Sequence, residues 1–181
     1  MQTEAEQAPT RFPVSVLMER RLARSGPWSE FQWECVAVVA GEQVVNGAAG
    51  WTLISDDGQR TRYMWSGLQV ALDRDGCESY WHNLQNDTPY LFVICFPDEG
   101  AQDESMAVLP ARVSASQDEA NAAMESEGMV FSVPMPDKAI DWLERFVVAN
   151  YEPAVKKKRK RRDWAQEGDA NAKTRRPDRL H

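Results

Sequence analysis

The stretch MAVLPARVSASQDEANAAMESE, Met106–Glu127, changes character half-way along, and that change decides the fold class. Its first ten residues read as a strand. Pro110 cannot donate to a ladder, which marks the strand as edge-like. From Ser116 the pattern turns helical. Ser116 suits an N-cap, and Glu119 three residues later completes a capping box. The helix is expected to stop at Gly128, since glycine is the usual residue just past a helix end.

Upstream of this point the chain reads as strands. Phe12–Arg21 (FPVSVLMERR) alternates, with Val14, Val16 and Met18 on one face and Ser15, Leu17 and Glu19 on the other. In Phe31–Ala40 the residues Phe31, Trp33, Cys35 and Ala37 share a face. A doubtful segment among Gly41, Gly47 and Gly50 follows. Arg60–Leu72 reads as a strand bent or bulged at Gly67. Glu78–Gln85 reads as a short aromatic strand that forms a hairpin with the apolar strand Tyr90–Phe96. Downstream, Val133–Pro136 is extended because residues before proline avoid helix. Pro136 and Asp137 then suit a helix start. Ala139, Trp142, Leu143, Phe146 and Val147 recur at helical spacing, and Pro153 ends the pattern.

Strands first and helices last predict an α+β fold. The expectation is a mainly antiparallel sheet, with room for strong curvature, then two C-terminal helices and a disordered basic tail. Residues 1–11 read as a disordered leader, 12–153 as a single domain and 154–181 as the tail. The length of 181 residues suits one such domain.

The net charge of −7 hides a division. Residues 156–181 hold 11 Lys and Arg against 4 acids, a charge of +7. The remainder holds 10 bases against 24 acids, a charge of −14. Within the tail, Lys156, Lys157, Lys158, Arg159, Lys160, Arg161 and Arg162 form an unbroken run. Such a run suits a polyanion: a nucleic-acid backbone, an acidic protein or anionic lipid. It also suits a solvated tail.

No stretch approaches the roughly 18 consecutive apolar residues of a membrane helix, so no membrane span is expected. Three widely spaced cysteines, Cys35, Cys77 and Cys95, make no disulfide framework, which fits a reducing, cytoplasmic compartment. Together with His82 they lack paired metal-ligand spacing, so neither a metal nor a cofactor is expected. His82 has no orienting partner that would make it a catalytic base. The chain therefore reads as non-catalytic. Glu19, Arg20 and Arg21 are either a carboxylate- or phosphate-gripping cluster or ion pairs at a strand end.

The motifs in order resemble an uncharacterised bacterial family, the domain of unknown function 3305. Phe12–Val16 followed by Met18–Arg21 resembles its opening. Trp33-Glu34, Glu78–Leu84 with Tyr80 and Asn83, Leu91–Val93, Val133–Pro136, Trp142 and Tyr151–Pro153 continue the likeness over about residues 12–162. Members of that family are typically encoded beside formate dehydrogenase genes and often carry the label molybdopterin-guanine dinucleotide biosynthesis protein A. That label implies a glycine-rich nucleotide loop, yet no glycine precedes Gly26. The resemblance instead implies an accessory protein in the maturation or assembly of a molybdenum enzyme. It would act by protein contact, with formate dehydrogenase or its maturation factors as partner. Trp28, Trp33 and Tyr80 are the expected anchors, beside Glu19, Arg20 and Arg21. Nucleic-acid binding through the tail is the alternative, and a molybdopterin- or nucleotide-handling enzyme is disfavoured.

Overall fold

The computed structural model describes residues 9–25, 28–40, 50–97 and 108–152. The leader before residue 9 and the basic tail lie outside the described residues. The elements in order are β1 (Arg11–Ser25), β2 (Trp28–Ala40), β3 (Gly50–Asp56), β4 (Arg60–Ala71), α1 (Cys77–Leu84), β5 (Tyr90–Pro97), β6 (Val108–Ser114), α2 (Gln117–Glu125), β7 (Met129–Pro134) and α3 (Asp137–Asn150).

The described strands form one sheet in the order β2-β1-β4-β6-β5-β7, with β3 also paired to β4. Its two ends, β2 and β7, approach each other, so the sheet is strongly curved and nearly closed. The expectation of a mainly antiparallel sheet needs one correction. β4 and β6 run parallel, joined through Val70 and Val113, and the sheet is mixed. The helices are also interleaved with strands rather than following them.

The alternation read in β1 holds: Val14, Val16 and Met18 are fully buried. The face assigned to β2 is corrected part-way. Met18 pairs with Cys35 but Leu17 with Ala37, so Val36 is an extra residue and the phase shifts. Val38, not Ala37, therefore follows Cys35 on the inner face; both Cys35 and Val38 are buried. Gly67 bulges as expected, at a φ of 86° that favours glycine. Tyr63 and Trp65 before it and Val70 and Leu72 after it all reach the core.

The strand and hairpin expected at Glu78–Gln85 are a helix, α1. Its buried residues Cys77, Ser79, Tyr80 and Asn83 fall on one helical face. Asn83 explains the placement. Its Nδ2 donates to the Tyr90 carbonyl at 2.7 Å and the Ala115 carbonyl at 2.8 Å, while its Oδ1 accepts from the Tyr90 N–H at 3.0 Å. One amide thus ties α1 to the start of β5 and to the end of β6.

The N-cap of α2 forms as expected, with Ser116 Oγ accepting from Glu119 N. The reciprocal half of the capping box does not, because the Ser116 N–H goes to Ser114 Oγ at 2.9 Å. The helix closes at Glu125. Glu127 takes the left-handed φ of 63°, and the Gly128 N–H returns to the Ala123 carbonyl at 2.9 Å.

The core joins the sheet's inner face to α1 and α3 through Val14, Val16, Val70, Leu91, Tyr80, Trp142, Leu143 and Phe146. Phe12 packs on Trp142, ring centres 5.0 Å apart, and Trp142 Nε1 donates to the Pro9 carbonyl. The helices therefore fill the end of the curved sheet where β1 begins.

Candidate functional site

Eight residues along β1 from Phe12, a distance of about 26 Å at strand rise, the sheet carries a different set of side chains. The pairing register sorts them by face. Glu19 lies opposite Glu34 on β2 and Arg62 on β4, whereas Arg20 lies opposite Trp33 and Thr61. Directly opposed residues share a face.

On the outer face the Glu19 side chain is 1% exposed. Its Oε1 accepts from Arg21 Nε at 2.5 Å and its Oε2 from Arg62 Nε at 2.7 Å. Arg21 Nη2 also reaches Glu34 Oε2 at 2.8 Å, so one guanidinium bridges two carboxylates that would otherwise repel. The arginines are 46% and 43% exposed, so they shield a shallow carboxylate rather than sink with it. Hydrogen bonds from Arg21 and then Arg62 hold the Glu19 carboxyl below its ordinary pKa. Of the two readings open for Glu19 and Arg21, this geometry is ion pairing, with the added feature of a water-excluded acid.

On the inner face Arg20 Nη2 donates to Thr61 Oγ1 at 3.2 Å, and its guanidinium carbon lies 4.4 Å from the centre of the Phe31 ring. Around it is an aromatic set. Trp33 lies 5.9 Å from Tyr63 and 6.3 Å from Trp65, and Trp51 of β3 lies 5.7 Å from Tyr63. Tyr63 and Trp65 are buried, Trp33 is half-buried and Trp51 is 52% exposed. Two-residue alternation along each strand puts Phe31 beside Trp33 and Leu53 beside Trp51 on this face.

The expected anchors separate. Trp33 lies opposite Arg20 in the β1–β2 register. Tyr80 lies apart: it is fully buried in α1 against Phe146, a core residue and no surface anchor. Its hydroxyl is buried with no partner at hydrogen-bond geometry, and burial, opposed in part by the nearby Asp73 backbone, pushes its pKa up to about 12. The Trp28 backbone opens β2, but its side chain lies outside the described residues. So does the run Lys156–Arg162. Arg62, Thr61, Tyr63 and Trp51 were not singled out by sequence reasoning. The alternation of Arg60, Arg62, Tyr63 and Trp65 was the available signal.

Cys35 and Cys95 are buried, which pushes both thiols up to about 12, and Cys77 is raised by burial too. They are poor nucleophiles in this state. His82 is exposed on α1, its Nε2 3.9 Å from Glu78 Oε1. Among the described residues no three His, Cys, Asp or Glu side chains converge to hold a metal ion, and no helix is long and apolar enough to cross a membrane.

The model of a family described as protein of unknown function (DUF3305) matches residues 13–161. The chain belongs to this family. The matched DUF3305 span takes in the Glu19 ion pairs, the Arg20 aromatic set and α1 to α3, and it ends inside the basic run. Neither the curated proteins nor the solved structures yield a match.

Proposed function

We propose that this DUF3305 protein is a non-catalytic interaction module that docks a partner protein on the aromatic end of its sheet. By resemblance the partner is a formate dehydrogenase or a factor in its maturation. The supporting observation is β3, which among the described strands pairs only with β4 and is exposed along its whole length. Trp51, Leu53 and Ile54 are 52%, 51% and 54% exposed, on both faces of a single strand. Adjacent apolar side chains left this open are the mark of a contact surface.

A tagged pull-down from cells making formate dehydrogenase tests the reading. Wild-type protein should retain an enzyme subunit or maturation factor, and the double variant Trp51→Ser/Leu53→Ser should lose it. Both residues are too exposed for the change to unfold the domain. Retention by the double variant, or none by the wild type, overturns the reading.

The seven consecutive cations at Lys156–Arg162 favour a second reading, sequence-blind nucleic-acid binding. It requires an affinity that falls steeply with salt and disappears when the chain is truncated after Val155.

A further inference from the structure

β4 changes partners along one of its flanks. β1 holds the other flank from Arg60 to Ala71. On the first, β3 pairs from Thr61 to Ser66, and β6 then joins through a single register pair, Val70 with Val113. Gly50 takes the place beside Ser66, so β6 cannot run further back along β4 and parts from it. A cleft of about 460 Å³ opens along this seam. The small residues Gly67 and Ala111 keep it open, and Gln69, Asp73, Arg112 and Glu119 surround it. It lies on the outer face of the sheet. Val70 and Val113 turn into the core, while Gln69 and Arg112 are exposed.

Two acids line the cleft against one base. Asp73 Oδ1 accepts from the Gly76 N–H at 2.7 Å, and its second oxygen makes no bond among the described residues. Arg112 Nη1 reaches Glu119 Oε2 only at 3.4 Å, and the Arg112 side chain is 65% exposed, so it is free to turn out to solvent. The negative charge of the body is concentrated at this end. Residues 1–72 hold 8 acids and 6 bases, whereas residues 73–152 hold 16 acids and 4 bases.

The basic run begins close by. α3 ends at Asn150, whose Oδ1 accepts from Arg74 Nε at 3.2 Å, and Arg74 directly follows Asp73. Tyr151 continues in extended conformation, its ring 5.9 Å from Trp81. Lys156 stands six residues beyond Asn150 and Arg162 twelve. At about 3.3 Å per residue they reach about 20 Å and about 40 Å from the helix end. Asp73, at one end of the cleft, is well within that range.

We infer that the cleft at the β4–β6 seam is the docking site of the protein's own basic run, Lys156–Arg162, whose cations engage the carboxylates of Asp73 and Glu119. Each exposed ion pair is weak by itself. The tether removes most of the cost of bringing the run to the cleft, and the field of the surrounding acids adds to the two pairs. The inference goes beyond both readings above, because it gives the run a place when no partner is bound. Cations held in the cleft are withheld from an outside polyanion, so the two uses of the run exclude each other.

The test compares amide proton–nitrogen correlation spectra of the full-length protein with those of a full-length variant carrying the seven changes from Lys156→Gln to Arg162→Gln. Amide shifts of Gln69, Asp73, Arg112 and Glu119 should differ between the two at low salt. They should coincide at about 1 M salt, where the Debye length is about 3 Å. In the background Asp73→Asn/Glu119→Gln the seven changes should no longer move Gln69 or Arg112. In the background Asp141→Asn/Glu144→Gln, an equal loss of charge on the exposed side of α3, they should move them as in wild type. Both cleft carboxylates reach water, and an amide can still accept from the Gly76 N–H, so the cleft variant should fold. The comparison in the wild-type background stands on its own if it does not. No difference at the cleft, differences centred on the acids of α3 instead, or cleft differences that survive Asp73→Asn/Glu119→Gln overturn the inference. Cleft differences that disappear on dilution also overturn it, in favour of contact between two copies.

Discussion

Protonating Glu19 removes the anion that Arg21 and Arg62 share. Its folded pKa lies below the ordinary value near 4.5 because both arginines hydrogen-bond the charged form. The stabilisation is therefore complete above about 4.5 and is lost as pH falls through the lower folded value. Glu19→Gln should cost about 1–2 kcal/mol at neutral pH, less than for a fully buried pair because the stranded arginines are nearly half open to water. Thermal melts should show that cost at pH 7 and see it shrink below pH 4.5. A difference that does not change with pH would contradict the assignment. Tyr80 makes the opposite case. Its hydroxyl is buried with no partner at hydrogen-bond geometry, so Tyr80→Phe should leave the melting temperature unchanged or raise it, by up to about 1 kcal/mol of stability. A clear loss would show that the hydroxyl is bonded after all.

Asn83 makes three hydrogen bonds that tie its helix to the sheet. Asn83→Ala would leave the Tyr90 N–H and the Tyr90 and Ala115 carbonyls without their partner, at a cost of about 2–4 kcal/mol. Chemical denaturation should show that loss in the midpoint, with little change in slope. α1 also shows where sequence reading stops. It has eight residues, and Tyr80 and Trp81 are strand-formers by preference. Only burial at 77, 80 and 83 reveals the helical period, and that burial depends on β5 and α3. Elements whose signals are local were legible: the alternation of Val14, Val16 and Met18, the bulge at Gly67, the Ser116 cap and the apolar stripe of α3. The bulge at Val36 was not, since one added residue leaves no mark until the partner strand is known. Gly128 was legible as a helix stop but not for the full reason. A Cβ there would sit 2.8 Å from the Ala123 carbonyl, while the left-handed turn falls on Glu127.

At the scale of the molecule, the near-closure of β2 on β7 and the parallel contact of β4 with β6 join segments far apart in sequence, and no local pattern announces either. The candidate site suffers the same limit. Glu19, Arg20 and Arg21 stand out as a cluster, yet alternate faces of one strand send Glu19 and Arg21 outward and Arg20 inward. Arg62 and Thr61, the residues that complete the two arrangements, come from forty residues further along. Trp51 was hidden in a segment bounded by glycines. The division of labour follows from topology: α1 and α3 fill one end of the curved sheet, and at the other Phe31 and Trp51 stay exposed over buried Tyr63 and Trp65.

Among the described strands β3 is attached to β4 alone, and this has a dynamic consequence. A strand held along one flank can open locally without breaking any rung of the path from β2 to β7, whereas β5 is held on both sides by β6 and β7. Amide hydrogens of residues 51–56 should therefore exchange with solvent orders of magnitude faster than those of residues 91–95, at a free energy well below that of global unfolding. A partner seated against β3 would draw its apparent protection toward that of β5, so exchange rates along these six residues provide a gauge of occupancy that needs no knowledge of the partner's name.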